Sequence, residues 1–365
     1  MQLNIEEQNL ILEGKKYSRT ELMSLSDNAT GDNTAPFLLD LYRFLADWFS
    51  DSPFMTVHTS GSTGTPKVLT VRKEQMIQSA RITCEFLNLH AGDTALLCMP
   101  LQYIAGKMMV VRALVAGLNL ILRTPSGHPL ADVTVPLRFA AMVPLQVFNT
   151  LQVLQERDRL CHTDILIIGG GAIDAALEKE IRLLPGEIYS TYGMTETLSH
   201  IALRRLNGPT ASSHYRPFSS VELSLSPENT LVIKAPLVCD DILLTNDVVQ
   251  LYPDHSFVVL GRKDNIINSG GIKIQIEELE EILRPHINVP FAITSVPDTK
   301  LGQAVVLLLK ESAGIESIEE KICTVLHKYR QPRKILFVSE IPLTGNGKID
   351  RSQCRLLAEK MLVTG

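Results

Sequence analysis

The chain has 365 residues, of which 45% are hydrophobic and 21% charged, and its formal net charge is −5. This length is enough for one large core or for two domains of ordinary composition. A mildly acidic balance disfavours a general nucleic-acid surface and an anionic membrane surface, so we expect neither nucleic acid nor membrane insertion.

The start of the chain, MQLNIEEQNL, lacks a basic stretch followed by an apolar one, so we expect no signal peptide and a cytoplasmic protein. The most apolar region, residues 96–122, is interrupted by Lys107 and Arg112 and is predicted to form buried core elements. None of the six cysteines forms a CxxC pair, which predicts reduced thiols and neither a zinc site nor a disulfide framework.

Helical and strand-like patterns follow one another along the first two thirds of the chain. Residues 1–20 predict a short hairpin, residues 27–35 a polar loop and residues 36–50 a helix. The strands predicted after them are 54–58, 94–99, 118–123, 165–168 and 187–190, and the helices are 73–87 and 104–116. This alternation predicts a large α/β domain with layered sheets.

The pattern changes after Gly261. A polar stretch, GRKDNIINSGG, precedes a predicted helix and is followed by a compact set of elements. These are a helix at 275–283, strands at 291–296 and 304–309, a helix at 315–328, and then a strand, a glycine-rich loop and a last helix. We therefore predict two domains, residues 1–263 and residues 264–365, of which the second is a small α+β domain.

A glycine-rich segment, HTSGSTGTPK at 58–67, follows the strand predicted at 54–58. Its glycines let successive backbone N–H groups point at one anion, and its hydroxyls and lysine add the donors and the charge that a polyphosphate needs. The alternative is an exposed flexible turn. A Walker loop has the pattern GxxxxGK[ST]. The string at 58–67 does not match it, because Pro66 stands where the second glycine is required, and the later GNGK does not match it, because Ile349 follows the lysine instead of Ser or Thr. The GGG triplet at 169–171 does not match the dinucleotide-binding pattern GxGxxG either, because Asp174 stands at the position of the third glycine.

The whole ten-residue string resembles the phosphate-binding motif of the acyl-adenylate-forming family. This family includes acyl- and aryl-CoA synthetases, adenylation domains of peptide synthetases, and luciferases. The resemblance implies ATP as a substrate and an adenylate-forming synthetase fold, with a large N-terminal domain and a small, mobile C-terminal domain. In this segment it assigns ATP binding to Thr59, Ser60, Gly61, Ser62, Thr63, Gly64 and Lys67.

Two further strings resemble motifs of this family. YGMTET, which begins at Tyr192, is similar to the YGxTE motif and implies that this tyrosine lines the adenine pocket. Thr195 is then implied to bond a phosphate oxygen, and Glu196 to hold Mg²⁺. GGGA, upstream, resembles the turn beside the adenine and the acyl pocket. The other AMP-contacting positions implied by the two strings are Gly170, Gly171, Ala172, Gly193 and Met194.

The string TND stands where the family has TGD, which implies that Asp247 accepts hydrogen bonds from the ribose hydroxyls. Asn246 replaces the glycine, and asparagine tolerates the left-handed backbone region better than most residues. GRKD resembles the GRxD motif of the family. It implies that Arg262 reaches the ribose or the phosphates and that Asp264 is the hinge between the domains.

Two strings of the C-terminal region resemble the parts of the family that move. NSGGIKI resembles the loop that enters the site for the thiol step with CoA, and it includes Gly270, Gly271 and Lys273. Ile272 is a departure, because family members often have glutamate there. PLTGNGKIDR is similar to the PxTxxGKxxR ending, which implies that Lys348 is the catalytic lysine of adenylation, acting with Thr195 and Glu196.

Two other departures concern the acyl pocket and the length of the chain. PLQYIAG stands where the family has PLxHxxG, so Tyr103 occupies the position of a histidine that shapes the acyl pocket. The phosphate-binding string begins near residue 58, earlier than in typical relatives, whereas residues 10–25 resemble the start of the family domain. The resemblance therefore implies a domain truncated at its N-terminus, and it is nearly continuous from 54 to 360.

The short architecture and the string LSHIA after YGMTET look most like the o-succinylbenzoate–CoA ligases of menaquinone synthesis. A substrate with a second carboxylate needs a cation in the acyl pocket. Lys107 and Arg204 are the candidates, with Ser199 as a further pocket residue, and the alternative is that both cations are surface charges.

The resemblance thus implies a ligase that joins a small carboxylic acid to CoA, using ATP and Mg²⁺, through an acyl-adenylate. The alternatives are another aryl- or acyl-CoA ligase, a free-standing adenylation enzyme that loads a carrier protein, and an inert nucleotide-binding regulatory module. The joint presence of Glu196, Asp247, Arg262 and Lys348 disfavours the inert module. The sequence leaves open whether the chain forms a homo-oligomer.

Overall fold

The computed structural model describes residues 5–28, 35–58, 68–311, 318–344 and 349–363. The helices in these ranges are α1 (Arg19–Asn28), α2 (Pro36–Phe49), α3 (Lys73–Phe86), α4 (Ile104–Ala116), α5 (Pro144–Gln152), α6 (Leu154–Cys161), α7 (Ala175–Ile181), α8 (Ile276–Leu283), α9 (Ile318–Val325) and α10 (Arg351–Val363).

The strands of the first part of the chain are β1 (Leu10–Leu12), β2 (Lys15–Tyr17), β3 (Phe54–His58), β4 (Val68–Arg72), β5 (Thr94–Leu97), β6 (Asn119–Leu122), β7 (Leu137–Met142), β8 (Thr163–Ile168), β9 (Glu187–Gly193), β10 (His200–Arg205) and β11 (Arg216–Pro217). Those of the rest are β12 (Glu222–Leu225), β13 (Thr230–Lys234), β14 (Leu243–Leu251), β15 (Phe257–Arg262), β16 (Ile266–Ser269), β17 (Ile272–Gln275), β18 (Phe291–Asp298), β19 (Gly302–Lys310) and β20 (Lys334–Val338).

Nine strands form one large sheet in the order β11-β10-β9-β8-β7-β5-β6-β1-β2. Neighbouring strands from β9 to β1 in that order run parallel, and β2, β10 and β11 are antiparallel additions at the two ends. The order reverses at β5, which lies between β6 and β7. In open α/β sheets, ligands bind beyond the carboxyl ends of the strands at such a reversal.

A single hydrophobic cluster packs around this sheet and extends from Leu10 to Phe257. Its largest fully buried side chains include Trp48 and Phe139. The indole N–H of Trp48 donates to Gln8 Oε1 over 2.9 Å, so burial of the ring leaves no donor unpaired. The parallel strand β7 is buried at almost every position, as expected for a strand covered on both faces.

The remaining strands form three smaller sheets. β3 pairs with β4, β12 to β15 form an antiparallel sheet, and β17-β16-β19-β18 form a sheet that β20 extends in parallel beside β19. Alternate residues of β19 point to opposite faces: Leu307 joins a cluster with α8 and α9, and Leu308 joins a cluster with α10.

The structure confirms the predicted α/β class and most predicted elements, including the hairpin at the start of the chain and the helix at 104–116. The strand predicted at 187–190 is longer, because the pairing of β9 with β10 continues until Gly193 faces His200. The helix predicted at 315–328 ends earlier, at Val325, and it is described from Ile318, because residues 315–317 lie outside the described ranges. No helix in the described ranges has the length and apolar character needed to cross a bilayer.

Candidate active site

Three of the predicted motifs meet at the carboxyl edge of the large sheet, because β5, β8 and β9 are parallel strands that end there. The string PLQYIAG follows β5, the glycine triplet follows β8, and YGMTET begins within β9. Hydrogen bonds join the strand ends: Gly169 N donates to Met142 O over 3.0 Å, and the Gln146 side chain donates to Cys98 O over 3.3 Å.

Tyr192 and Asp247 are in direct contact. The tyrosine hydroxyl donates to Asp247 Oδ2 over 2.5 Å, which joins β9 to β14. Burial raises the pKa of Tyr192 far above its usual value, and the neighbouring charge of Asp247 adds to the effect. The phenol therefore stays protonated and donates to Asp247. A carboxylate oxygen has more than one lone pair, so Asp247 can still accept a hydrogen bond from a ribose beside the ring of Tyr192.

Arg262 bridges the candidate ribose acceptor and the candidate hinge. It lies opposite Asp247 in the pairing of β14 with β15 and donates from Nη1 to Asp247 Oδ1 over 3.2 Å. Its Nε and Nη2 each donate to Asp264 over 2.9 Å. Burial opposes ionisation of Asp264, but the paired guanidinium outweighs it and lowers the pKa of that carboxyl. The predicted Asp247, Arg262 and Asp264 thus form one network.

The turn after β9 requires both a glycine and an unusual backbone conformation. A methyl group on Gly193 would lie 2.3 Å from the carbonyl oxygen of Ser199, so no larger residue fits. Leu198 has φ +64° and ψ −34°, and Ser199 N donates to Thr197 O over 2.7 Å. This is a γ-turn with positive φ, which is strained for a residue with a side chain.

Thr195 and Glu196 lie in the 3-10 turn Thr195–Thr197 that follows β9. Glu196 is exposed, and its carboxylate has no hydrogen bond or ion pair with any residue that the structure describes. The buried hydroxyl of Thr197 bonds Met194 N at 3.0 Å and fixes the turn. Among the described residues nothing occupies the carboxylate of Glu196, which therefore offers oxygen ligands for a cation.

The glycine turn after β8 lies directly against β9. Gly170 has φ +79°, a conformation that favours glycine, and a methyl group on Gly169 would lie 2.3 Å from Thr191 Oγ1. Gly171 and Ala172 follow in the same turn, before α7. The structure therefore brings the predicted adenine turn beside the YGMTET string.

Tyr103, at the histidine position of the family motif, is half-buried and precedes α4. Its backbone forms a parallel bridge with His58, the last described residue before the phosphate-binding string. Gly106, in the same string, packs so closely that a methyl group there would lie 2.5 Å from Pro100 O. The motif after β5 is therefore adjacent to the start of the predicted phosphate site.

Several predicted residues lie outside the described ranges. The strands on either side of the phosphate-binding string, β3 and β4, pair with each other, with His58 opposite Val68. Leu343 and Ile349, on either side of the other string, form an isolated bridge. The predicted residues outside the described ranges are Thr59, Ser60, Gly61, Ser62, Thr63, Gly64, Lys67 and Lys348.

The structure reveals a buried cation that the sequence analysis did not select. Arg112 lies in α4 and is 2% exposed, and its Nη2 donates to Ser199 Oγ over 2.6 Å. Its Nη1 donates to Met109 Sδ over 3.6 Å, its Nε has no acceptor, and no carboxylate forms an ion pair with it within the described part of the chain. Burial lowers the pKa of Arg112 to about 10, so the guanidinium remains charged at neutral pH without a counter-ion.

The two cations that the sequence analysis selected have partners of their own. Lys107 Nζ donates to Thr56 O over 2.8 Å, and burial lowers its pKa. Arg204 forms two hydrogen bonds with Glu178, of 3.2 and 2.8 Å, and its side chain is only 13% exposed. Neither is an exposed surface charge. Arg204 Nε, like Arg112 Nε, has no acceptor among the described residues, but Arg204 has a carboxylate partner there and Arg112 does not. An arginine among four buried apolar neighbours, at 108–111, is the signal that identifies Arg112 from sequence.

Of the residues predicted for the thiol step, Gly270 and Gly271 lie in the turn between β16 and β17, and Lys273 lies in β17. Gly270 and Gly271 have φ of +59° and +84°, and Gly270 N donates to Leu301 O over 2.9 Å. Lys273 is exposed. In the described ranges no hydrogen bond joins this turn to Tyr192 or Asp247, so the structure does not bring it into the nucleotide network.

The chain matches two sequence models of known families. The model described as AMP-binding enzyme matches residues 6–234, and the model described as AMP-binding enzyme C-terminal domain matches residues 278–348. Among curated proteins, the 2-succinylbenzoate–CoA ligase of Lactococcus lactis subsp. lactis is 25% identical over 331 residues, which cover 85% of this chain and 72% of that protein.

Solved structures have the same fold. The acyl-CoA synthetase (AMP-forming)/AMP-acid ligase II-like protein from Dyadobacter fermentans is 31% identical, with a TM-score of 0.62, and the match covers 93% of this chain and 97% of that one. The o-succinylbenzoate CoA synthetase from Bacillus subtilis, in complex with the intermediate OSB-AMP, is 18% identical with a TM-score of 0.75 over 96% of each chain. The second likeness concerns the fold alone.

Proposed function

The chain belongs to the AMP-binding enzyme family, and from that membership we propose that it is an ATP-dependent, AMP-forming acid–CoA ligase whose acid is 2-succinylbenzoate. The net reaction converts the acid, ATP and CoA into the CoA thioester, AMP and pyrophosphate. Buried Arg112, which lacks a counter-ion in the described part of the chain, is the observation that supports an acid with a second carboxylate.

In the first half-reaction, a carboxylate oxygen of the acid attacks the α-phosphorus of ATP, and the bond to the pyrophosphate oxygen breaks. Catalysis of such a step consists mainly of positioning and of neutralising negative charge. We assign the adenine wall to Tyr192, the ribose acceptor to Asp247 and phosphate binding to the string at 58–67. Lys348 would supply the positive charge at the α-phosphate.

The geometry of Glu196 fits a magnesium ion that arrives with the nucleotide. Mg²⁺ is usually held by one or two carboxylates together with phosphate oxygens and water. Glu196 offers one exposed carboxylate without a partner, and no cluster of three or more candidate ligands occurs among the described residues. When bound, the ion would neutralise charge on the phosphates, with Thr195 beside it.

In the second half-reaction, the CoA sulfur attacks the acyl carbonyl carbon, the C–S bond forms, and the bond to AMP breaks. We propose that residues 264–365 form a mobile domain that turns about Asp264 between the two steps. The separation of the hydrophobic clusters on either side of residues 263–265 supports this division. Gly270, Gly271 and Lys273 would then approach the site for the thiol step.

The second carboxylate of 2-succinylbenzoate gives Arg112 its missing anion. One carboxylate of this acid is consumed by adenylation, so the other must be bound in the acyl pocket. Arg112 contacts the turn that follows Glu196 through Ser199, and its buried Nε has no acceptor among the described residues. A charged donor facing a carboxylate in a buried pocket makes a strong, directional contact. This acid implies a role in menaquinone synthesis, and we place the enzyme in the cytoplasm, where ATP and CoA are available.

The experiment that tests the proposal is mass spectrometry of products formed from ATP, Mg²⁺, CoA and a panel of acids. The panel contains 2-succinylbenzoate, 4-oxo-4-phenylbutanoate (which lacks the aromatic carboxylate) and benzoate. We expect AMP and a CoA thioester with the first acid, well above the other two. AMP without a CoA thioester would indicate a carrier-loading enzyme instead, and no AMP with any acid would indicate an inert nucleotide-binding module.

A further inference from the structure

A chain of hydrogen bonds leads from Arg112, in α4, to the backbone of helix α3. Arg112 Nη2 lies 2.6 Å from Ser199 Oγ, and that oxygen lies 3.2 Å from His200 Nδ1. His200 Nε2 lies 3.2 Å from Thr83 Oγ1, which in turn lies 3.1 Å from the carbonyl oxygen of Ser79. Thr83 is fully buried and His200 is 7% exposed, so water does not replace these contacts.

The chain can run in only one direction. A guanidinium only donates, so Ser199 Oγ accepts from Arg112 and has its own hydrogen left for His200 Nδ1. At the other end, Thr83 Oγ1 donates its hydrogen to Ser79 O and must therefore accept from His200 Nε2, so the neutral ring carries its hydrogen on Nε2 and accepts at Nδ1. Each donor in the series is matched with one acceptor.

The charge state of His200 agrees with this direction. Burial lowers the pKa of His200 well below its usual value, and the neighbouring charge of Arg112 lowers it further. A charged imidazole would donate from both nitrogens and would oppose the hydroxyl hydrogen of Ser199. The ring is thus neutral at physiological pH and acts as a fixed relay.

The backbone also holds Ser199 in place. The γ-turn at Leu198 and the close approach of Gly193 leave the main chain little freedom at this position. With Nη2 of Arg112 held by Ser199 Oγ, the guanidinium plane cannot turn freely, and its Nε has no acceptor among the described residues.

We propose that His200 and Thr83 are positioning residues that fix, through Ser199, the direction in which Arg112 presents its guanidinium to the second carboxylate of the acid. This inference rests on the proposed function. Thr83 lies in α3, is fully buried and contacts His200, so we expect it to affect binding of the acid through His200 and not by direct contact with the acid.

The test compares two variants of Thr83 on two acids that differ only in the aromatic carboxylate. Thr83→Val keeps the shape of the side chain and removes the hydroxyl, whereas Thr83→Ser keeps the hydroxyl. We expect Thr83→Val to lower kcat/KM for 2-succinylbenzoate about 10-fold, mainly through KM, because a buried donor loses its acceptor. For 4-oxo-4-phenylbutanoate the change should stay within about twofold, and Thr83→Ser should retain both values within about twofold.

Equal losses with both acids, or no loss with either, would overturn the relay while leaving the ligase activity established. A wild-type protein that forms no thioester of 2-succinylbenzoate would overturn the proposed function and this inference together. A second measurement is independent of the acid: nitrogen-15 NMR of the imidazoles, with His200→Gln used for assignment. A neutral ring protonated on Nε2 at pH 7 is expected, and one protonated on Nδ1 would overturn the relay.

Discussion

The hydroxyl of Tyr192 and the carboxylate of Asp247 lie 2.5 Å apart, although the two residues are separated by 55 positions in the sequence. The bond connects the large parallel sheet to the antiparallel sheet beside it, through β9 and β14. Asp247 also accepts from Arg262, so two donors orient the carboxylate before any ribose arrives. Such preorganisation lowers the cost of binding, because the acceptor is already in place.

Removal of the Asp247 carboxylate should weaken nucleotide binding more than removal of the Tyr192 hydroxyl that donates to it. We expect Asp247→Ala to raise KM for ATP about 10-fold or more, because the ribose hydroxyls lose a charged acceptor. Tyr192→Phe keeps the ring and removes one donor, so its KM for ATP should change by about threefold or less. Pyrophosphate release measured at varied ATP checks both values, and a larger effect from Tyr192→Phe would contradict the assignment of Asp247.

Gly193→Ala should disrupt the turn after β9. The added methyl would lie 2.3 Å from Ser199 O and 2.6 Å from His200 Cα, and both are backbone atoms that cannot move aside separately. Overpacking of this kind costs about 1–3 kcal/mol of unfolding free energy. Gly171→Ala is the control, since its nearest contact would be Pro144 Cγ at 3.6 Å. Urea unfolding compares the two, and equal stability would contradict the close packing at Gly193.

Arg112→Met should separate function from stability. A buried apolar chain of similar length removes a charge that has no counter-ion among the residues that the structure describes, so the melting temperature should stay the same or rise. The value of kcat/KM for 2-succinylbenzoate should fall about 10- to 100-fold, because a charged hydrogen bond is lost, while that for 4-oxo-4-phenylbutanoate should not fall.

Arg112→Lys is the matched variant, since it keeps the charge and loses the planar fork, and should give an intermediate loss. Thermal unfolding and steady-state kinetics provide the two readouts. A parallel loss with both acids would show that Arg112 supports the fold rather than the second carboxylate.

Lys348→Ala should affect only one half-reaction. The lysine is proposed to neutralise charge at the α-phosphate, so adenylation should fall about 10²- to 10³-fold, as for other preorganised charges. Thioester formation from a supplied acyl-adenylate should be nearly unchanged. Lys300→Ala, at an exposed lysine of the same region, is the control. Equal losses in the two half-reactions would contradict the proposal that the C-terminal domain changes its position between the two steps.

The buried imidazole of His200 predicts a specific dependence of stability on pH. Its pKa is lowered in the folded chain, whereas the histidine of the unfolded chain binds a proton near its ordinary pKa of 6.5. Below that pH the unfolded state holds the extra proton, so the unfolding free energy falls as the pH falls, by up to about 1.4 kcal/mol per pH unit. The contribution is fully present above pH 6.5. Unfolding at pH 7.5 and 5.5 should show a smaller difference for His200→Gln, and an unchanged difference would contradict a buried neutral ring.

The sequence predicts much of the scaffold because the strings that resemble the family stand at the ends of strongly patterned strands. Tyr192, Asp247, Arg262 and Asp264 were all predicted as site residues, and the structure joins them in one network. Their mutual contacts could not be read from one sequence, because they depend on the register of β14 with β15 and on the meeting of two sheets.

The cation of the acyl pocket shows where reading the sequence fails. Arg204 follows the YGMTET string and looked suitable, but its partner Glu178 lies 26 positions away and is brought to it only by the fold. Arg112 looked like an interruption of an apolar helix. Its significance depends on what is missing around it in three dimensions, and a single sequence does not record which charges remain unpaired.

Arg262 divides its hydrogen bonds between Asp247 at the ribose site and Asp264 at the proposed hinge. A ribose that hydrogen-bonds to Asp247 would change the contact between Asp247 and Arg262. A domain rotation that moves Asp264 away from Arg262 would change the other contact of the same guanidinium. Linkage requires the two effects to be equal: the factor by which nucleotide shifts the domain equilibrium is the factor by which domain position shifts nucleotide affinity. Rotation about Asp264 would then itself lower the affinity for AMP, so the release of AMP at the end of the cycle would need no further effector.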